Sequence, residues 1–336
     1  MKIALADGAG GAQTQKLLGD LLGLIKLRSV NGGLGLDDLD DSGTIPFSEG
    51  QIVFTTDGHT VDPLFFPGGD IGRLAVSGTV NDVAVMGAEP LALSLGVVIE
   101  EGLEKEILEK VFASINAASE EAGVAIIAGD TKVVEKGAVD KLIITTSGIG
   151  IAKKLVRDNG LEPGDKLIVT GYVGNHGVAL LSKREGYSFE TTLSSDCAPL
   201  NKMLQPIWQY RIHGVKDPTR GGIAMVLNEM AEKSGVHVLL QEKEIPVHPE
   251  VEGACAMLGL DPFTLANEGK AVIAVHPEDA ASVLELLRKH PYGEKASVIG
   301  EVLAKPAEER SKVLIQTDFG KRILRAPVGE LVPRIC

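Results

Sequence analysis

Aromatic residues are scarce in this chain, at 4% of 336 residues. Its core therefore has to be built mainly from Val, Ile, Leu and Ala. Cysteine is scarcer still: Cys197, Cys255 and Cys336 are the three, and no two form a Cys-x-x-Cys pair. That excludes a zinc knuckle and a disulfide framework, and it predicts reduced thiols in a cytoplasmic protein. No apolar run reaches the roughly 18 residues that suggest a membrane span. The opening residues meet Asp7 and a glycine cluster too early for a secretory signal. Positive charge is in deficit, with 33 Lys and Arg against 46 Asp and Glu and a net charge of −13. Neither nucleic acid nor an anionic membrane is therefore an expected partner. A nucleotide is not excluded, because carboxylates hold nucleotides through magnesium. There is no Gly-x-x-x-x-Gly-Lys-[Ser/Thr] segment, so the chain is not a P-loop protein.

Glycine, by contrast, is plentiful at 40 residues, mostly in short clusters beside Asp or Asn. Such clusters read as functional loops. The length suggests two domains. Residues 1–40 form a glycine-rich segment with an amphipathic helix over 17–27. Strands follow over 51–56, 91–99 and 141–151, a buried strand over 124–128, and helices over 71–86 and 104–122. Asn159-Gly160 and Pro163-Gly164 are turn signals that place a domain boundary between 153 and 165. Beyond it come strands over 166–170, 271–275, 296–303 and 313–317. Helices are expected at about 199–213, 222–234, 249–258 and 277–289. This alternation predicts an α/β or α+β fold, with domains at 41–153 and 165–324. Pro327 and Pro333 exclude regular structure near the end, so 325–336 reads as a mobile tail ending in Cys336.

Asp57, Asp82 and Asp130 are read at or near the ends of apolar strands, and Asp37, Asp38, Asp40 and Asp41 form a fourth acidic cluster. Carboxylates converging at strand ends suit a divalent metal and phosphate. The backbone of Gly10 and Gly11 offers N–H groups to phosphate oxygens. Aspartate also caps helices and forms turns. Asp82, however, interrupts an apolar helical stretch, where an unpaired carboxylate costs free energy. Three cysteines in 336 residues put one at the last position by chance only about one time in a hundred. Prenylation requires Cys fourth from the end, so Cys336 is not such a site.

The segments TTDGHTVDPLFFPGGDIGRLAVSGTVNDVAVMGAEP, AGDTKVV, DPTRGGIA, LANEGK and the terminal PRIC together resemble the HypE family of NiFe-hydrogenase maturation factors. That family lies in the PurM-like, or aminoimidazole ribonucleotide synthetase, superfamily. The match covers essentially the whole chain, and FFPGGDIG and PRIC are its most specific parts. The resemblance implies a two-domain α/β fold with a C-terminal α/β sandwich. The N-terminal sheets of a homodimer would pair into a barrel-like interface, with ATP in a cleft near it. Gly10, Gly11, Asp57, Asn81, Asp82, Gly129, Asp130, Thr131 and Asn267 would bind the nucleotide. Asp41, Asp57 and Asp82 would hold Mg2+. The implied reaction is ATP-dependent dehydration of a carbamoyl group on the Cys336 thiol to a thiocyanate. A carbamoyltransferase, HypF, would load the thiol, and a HypC–HypD complex would take the cyano group as a ligand for the hydrogenase iron. Lys132 would contact the transferring phosphoryl group or steer the amide, and Glu268 would act as base. The sequence departs from the pattern at Asn175, where Asp is expected, and at the Asp-Ser-Gly following Asp40. Selenophosphate synthetase and thiamine-phosphate kinase are alternatives within the superfamily, although no cysteine stands near the first glycine loop as the former would require. A thiol-bearing docking scaffold is an alternative of another class.

Overall fold

The computed structural model describes residues 32–34, 37–38, 40–184, 191–329, 332 and 334–336. Gly10, Gly11, the helix expected over 17–27, and Pro333 lie outside the described residues. Strand β1 (Gly43–Phe47) turns directly into β2 (Gly50–His59). Val53, Thr55 and His59 of β2 are buried, while Phe54, Thr56 and Gly58 face outward, so the strand has one inner face. Two short strands, β3 (Phe65–Phe66) and β4 (Gly69–Asp70), lead into helix α1 (Ile71–Val85). The Asp70 carboxylate caps this helix, accepting from the Gly72 and Arg73 amides at 2.7 and 3.0 Å. Nearly every residue of α1 is buried, because it is covered by the first sheet on one side and by second-domain elements on the other.

Strand β5 (Glu89–Glu100), helix α2 (Lys105–Ala122) and strand β6 (Ala125–Val134) form a parallel β-α-β unit, and β7 (Leu142–Ala152) completes the sheet. Helix α2 is amphipathic, burying Val111, Ile115, Ala118 and Ala122, and it ends at Gly123 with φ of 75°. The sheet order is β1-β2-β7-β5-β6. The strand expected to be buried over 124–128 is instead the exposed edge β6, with Ile127 73% and Val133 67% accessible. Its apolar composition suggested burial, but among the described residues of one copy it has a neighbouring strand on one side only.

The second sheet has the order β14-β13-β10-β12-β8-β11-β9. Its strands are β8 (Lys166–Val169), β9 (Ile212–Lys216), β10 (His237–Gln241), β11 (Val272–Val275), β12 (Ser297–Leu303), β13 (Val313–Thr317) and β14 (Gly320–Ile323). Helices α3 (Asn175–Leu181), α4 (Asn201–Leu204), α5 (Gly222–Ser234), α6 (Pro249–Leu258) and α7 (Ala280–Arg288) belong to the same half. The long helix expected over 199–213 is only α4 plus a 3₁₀ segment, Gln205–Gln209, followed by β9. Pro206 removes an amide there, which shortens the helix. Strands β9, β10 and β14 and helix α3 were not expected from the sequence.

One apolar cluster spans both halves. It joins Val61, Ile71 and Leu74 to Val178, Leu265 and Val251, and it contains Val332 and Ile335 of the tail. The segment expected to be free is thus docked in the shared core of this structure, Val332 and Ile335 being 6% and 5% exposed.

Candidate active site

The docked tail is held mainly through its backbone. The amides of Thr60 and Asp62, just past β2, donate to the Cys336 and Arg334 main-chain oxygens at 3.4 and 3.2 Å. Arg184 donates to the carbonyls of Arg334 and Asp62 at 2.7 and 2.8 Å. Arg334 bends the chain with φ of 51°, a left-handed conformation that disfavours side-chain-bearing residues. Its guanidinium offsets this by donating to the Thr60 carbonyl at 2.9 Å and pairing with Asp140.

This seat leaves Cys336 half-buried and brings its thiol within electrostatic reach of Glu268, Arg220, Asp57 and Asp217. Burial first, then the negative charge of Glu268, pushes the Cys336 thiol up to about 12. The docked sulfur is therefore a protonated thiol near neutral pH. Glu268 is 3% exposed, and its buried Oε1 has no hydrogen-bond partner. Burial, reinforced by the Asp217, Asp196 and Asp57 carboxylates, lifts Glu268 well above the usual carboxylate range, and Arg220 opposes this. Its loop is rigidly held. The Glu268 amide donates to Asp196 Oδ1 at 3.1 Å, and the Ala198 amide donates to the Glu268 carbonyl at 3.2 Å. Gly269 is required next to it, because a Cβ there would lie 1.9 Å from the Asp196 carbonyl oxygen.

The acidic groups gather on the first-domain side. Asp82 lies inside α1, not at a strand end, and accepts from Thr55 at 3.0 Å. Burial, then Asp57, Asp217 and Asp41, raises Asp82 well above the usual range against that hydrogen bond. Burial and Asp41 raise Asp217 to about 7, opposed by Lys216. Asp57 accepts from Thr79 at 2.6 Å. Asp41 is paired with the buried Lys216 through Oδ1, and its Oδ2 is buried without a hydrogen-bond partner. Lys216 also lies 3.2 Å from Asp158. The four carboxylates thus lie within electrostatic reach of one another, with Lys216 as a cation beside Asp41. Among the described residues, no group of three or more donors is placed to hold a metal ion. Magnesium commonly takes one or two carboxylates and completes its shell with water and phosphates, so this oxygen-rich set fits it.

Several expected residues stand elsewhere. Gly129, Asp130, Thr131 and Lys132 lie on β6, not at a strand end. Asp57 pairs with Thr146, Thr146 with Leu95, and Leu95 with Gly129. Gly129 is therefore three strand spacings, about 14 Å, from Asp57. Lys132 is 70% exposed and pairs with Asp130 at 3.6 Å, so it does not join Cys336 within one copy. Asn81 and Asn267 are already engaged. Asn81 ties Ala198 and Leu200 to α1 at 3.1 and 2.7 Å. The Asn267 amide accepts from Gly174 at 2.8 Å and donates to Pro218 and Leu265 at 3.0 and 3.1 Å. In this structure both organise loops, where the sequence suggested nucleotide contacts. Asp217, Arg220, Asp196 and His176 were not singled out from the sequence. The Asp-Pro-Thr-Arg-Gly-Gly run was the available signal for the first two.

Two α/β halves meeting at a buried acidic site define a protein of the AIR synthase-related class. Residues 39–152 match the family "AIR synthase related protein, N-terminal domain", and residues 162–312 match its C-terminal counterpart. The chain belongs to the HypE family within that class. It is 45% identical over 342 residues to the carbamoyl dehydratase HypE of Rhizobium leguminosarum bv. viciae, covering 100% of this chain and 95% of the relative. A protein of Methanocaldococcus jannaschii named for hydrogenase expression and formation is 53% identical over 341 residues, covering 100% of both. A crystal structure of HypE with ATP matches with a TM-score of 0.82 at 41% identity, covering 100% of both chains. A HypE–HypF complex matches with a TM-score of 0.85 at 41% identity, covering 94% of this chain and 100% of the other. Thiamine monophosphate kinase of Aquifex aeolicus, at 20% identity and a TM-score of 0.64 over 93% of this chain and 98% of its own, shares the fold alone.

Proposed function

We propose that this chain is an ATP-dependent carbamoyl dehydratase acting on a group carried by its own Cys336, in the maturation of a NiFe hydrogenase. The observation that carries this reading is the docked Cys336, within electrostatic reach of a buried carboxyl group with an unpartnered oxygen and of an acidic cluster. In the proposed reaction R–S–C(=O)NH2 and ATP give R–S–C≡N, ADP and phosphate. The carbonyl oxygen attacks the γ-phosphorus, the bond to the β-phosphate oxygen breaks, and ADP leaves. The C–O bond then breaks, and the oxygen departs within phosphate, a far better leaving group than an amide oxygen. Both nitrogen protons are lost, one to Glu268 and one to solvent. Magnesium, when bound by Asp57, Asp82 and neighbouring oxygens, supplies positive charge for the phosphates.

The raised thiol assigns a division of labour to the tail. A thiol at about 12 is a poor nucleophile near neutral pH, so carbamoylation takes place with the tail out. A HypF-type carbamoyltransferase is the donor, and a HypC–HypD-type complex is the acceptor. The loaded tail then docks. A homodimer is supported by the outward sheet face, which leaves Phe54, Leu91 and Ile149 exposed. A second copy on that face would supply Lys132 and Asp130 to the phosphates from its own β6.

Isocyanic acid adds across a thiol to give the S-carboxamide, so cyanate-treated protein serves as substrate. With Mg-ATP, mass spectrometry of the C-terminal peptide is expected to show loss of one water. Retention of the full carboxamide mass, with ATP bound, overturns the proposal.

A further inference from the structure

We infer that His176, fixed as one tautomer by Ser195, is the positioning residue that seats the terminal thiol against Glu268. The inference rests on the tethered-substrate reading above. His176 is 0% exposed and sits at the start of α3. Its Nε2 lies 2.8 Å from the Ile335 carbonyl oxygen, one residue before Cys336. A carbonyl oxygen can only accept, so Nε2 carries the proton. In the neutral ring Nδ1 is then bare. It lies 2.8 Å from Ser195 Oγ, so the serine hydroxyl donates to it. That leaves the Ser195 oxygen lone pairs to accept the Cys197 amide at 3.1 Å. Three directed hydrogen bonds thus run from the Cys197 amide to the tail. Burial keeps the imidazole below its ordinary range, with Arg184 adding to the lowering, against the opposing pull of the hydrogen bond to Ile335 and of the Asp196 carboxylate.

The same short segment holds the base. Asp196, between Ser195 and Cys197, accepts the Glu268 amide at 3.1 Å. The segment is anchored in turn by Arg73, which donates to the Cys197 carbonyl at 2.7 Å, and by the Ser195 amide, which donates to Pro67 at 2.7 Å. One turn of chain therefore fixes the base on one side and, through His176, the tethered group on the other. Apolar contacts of Val332 and Ile335 bring the tail in, but they do not fix its advance along the groove. The directed hydrogen bonds to its backbone do, and the one to the Ile335 carbonyl comes from His176, beside the Thr60, Asp62 and Arg184 donors to Cys336 and Arg334. Small misplacements of a tethered reactant cost large factors in rate.

The test uses full-length protein with His176→Leu, His176→Gln and Ser195→Ala. Two rates are followed by mass spectrometry of the C-terminal peptide. The first is alkylation of free Cys336 by iodoacetamide. The second is single-turnover loss of water from the cyanate-loaded protein at saturating Mg-ATP. ATP affinity is measured by calorimetry, and folding by thermal melting. His176→Leu is expected to alkylate about tenfold faster and to dehydrate at least tenfold slower, in keeping with loss of one buried hydrogen bond, while ATP affinity is kept. Ser195→Ala should move both rates in the same direction by less. His176→Gln keeps an N–H donor and an acceptor, so it should recover most of both rates. Wild-type rates in a folded His176→Leu overturn the inference. So does a folded His176→Gln as impaired as Leu, since the ring would then serve something other than this hydrogen-bond pair. If His176→Leu does not fold, Ser195→Ala and His176→Gln decide in the same way. If even the wild-type chain loses no water, the dehydratase reading fails, but the alkylation rates still judge the seat.

Discussion

Raising the pH should release the tail, and Cys336 sets the window. Its thiol moves from an ordinary value of 9.0 to about 12 on docking. A group whose docked value is raised binds its proton more tightly when docked. Docking is therefore at full strength below about 9 and is lost as pH rises toward 12. Between pH 8 and pH 10 the free thiol ionises almost completely, while the docked one stays protonated. Linkage then weakens docking by about 1.4 kcal/mol, or about tenfold. The result depends little on the docked value, because both pH values lie well below it. Hydrogen exchange at the C-terminal peptide reads the docked fraction. Cys336→Ser is the reference, because serine does not titrate here and shares every other charge. The protection of wild type relative to Cys336→Ser is expected to fall about tenfold from pH 8 to pH 10. A ratio that stays constant would refute the argument that docking desolvates the Cys336 thiol within reach of the Glu268 charge.

Glu268→Gln should slow dehydration by about 10²–10⁴-fold, the usual range for a general base, and leave ATP binding intact. The same variant should melt higher than wild type at pH 8 and level with it near pH 4.5. The raised carboxyl costs stability only above its unfolded value, so a lower melt at pH 8 would contradict its burial beside Asp217 and Asp196. Gly269→Ala places a Cβ 1.9 Å from the Asp196 carbonyl. Chemical denaturation should show a loss of about 1–3 kcal/mol, typical of overpacking, together with slowed dehydration. Lys132→Ala and Glu268→Gln should each be inactive alone. Mixed as subunits they should regain about a quarter of wild-type activity if Lys132 acts across a twofold interface. The absence of any recovery, with each variant inactive alone, would exclude action of Lys132 across the interface.

Local chemistry carried far in this chain. Helices close to α1 and α2, strands within β2 and close to β7, and the terminal Cys336 were legible from residue type and spacing. Asp82 stood out as a carboxylate inside an apolar helical stretch, where it is costly when unpaired, whereas Asp41 entered as a metal ligand only through the family resemblance. Glu268 stood out within Leu-Ala-Asn-Glu-Gly-Lys, but whether it was buried or exposed could not be read from its neighbours in sequence.

What the sequence determined by itself was the inventory: an acidic, cysteine-poor α/β chain with a thiol at its end and a recognisable set of family motifs. What the tertiary structure decided was which of these groups meet. Asp130 and Lys132 share a strand with Gly129, but three strand spacings separate that strand from Asp57. Asn81 and Asn267 sit beside the acidic residues in sequence, and their amides are taken up by backbone groups from distant loops. The tail contains two prolines and no regular pattern, and it docks because Thr60, Asp62, Arg184 and His176 offer donors to its carbonyls. Spacing along a chain reports local geometry. Hydrogen-bond partners and shifted ionisations depend on contacts between residues distant in sequence, 22 positions apart for Asp57 and Thr79 and 159 for His176 and Ile335, and folding alone creates those.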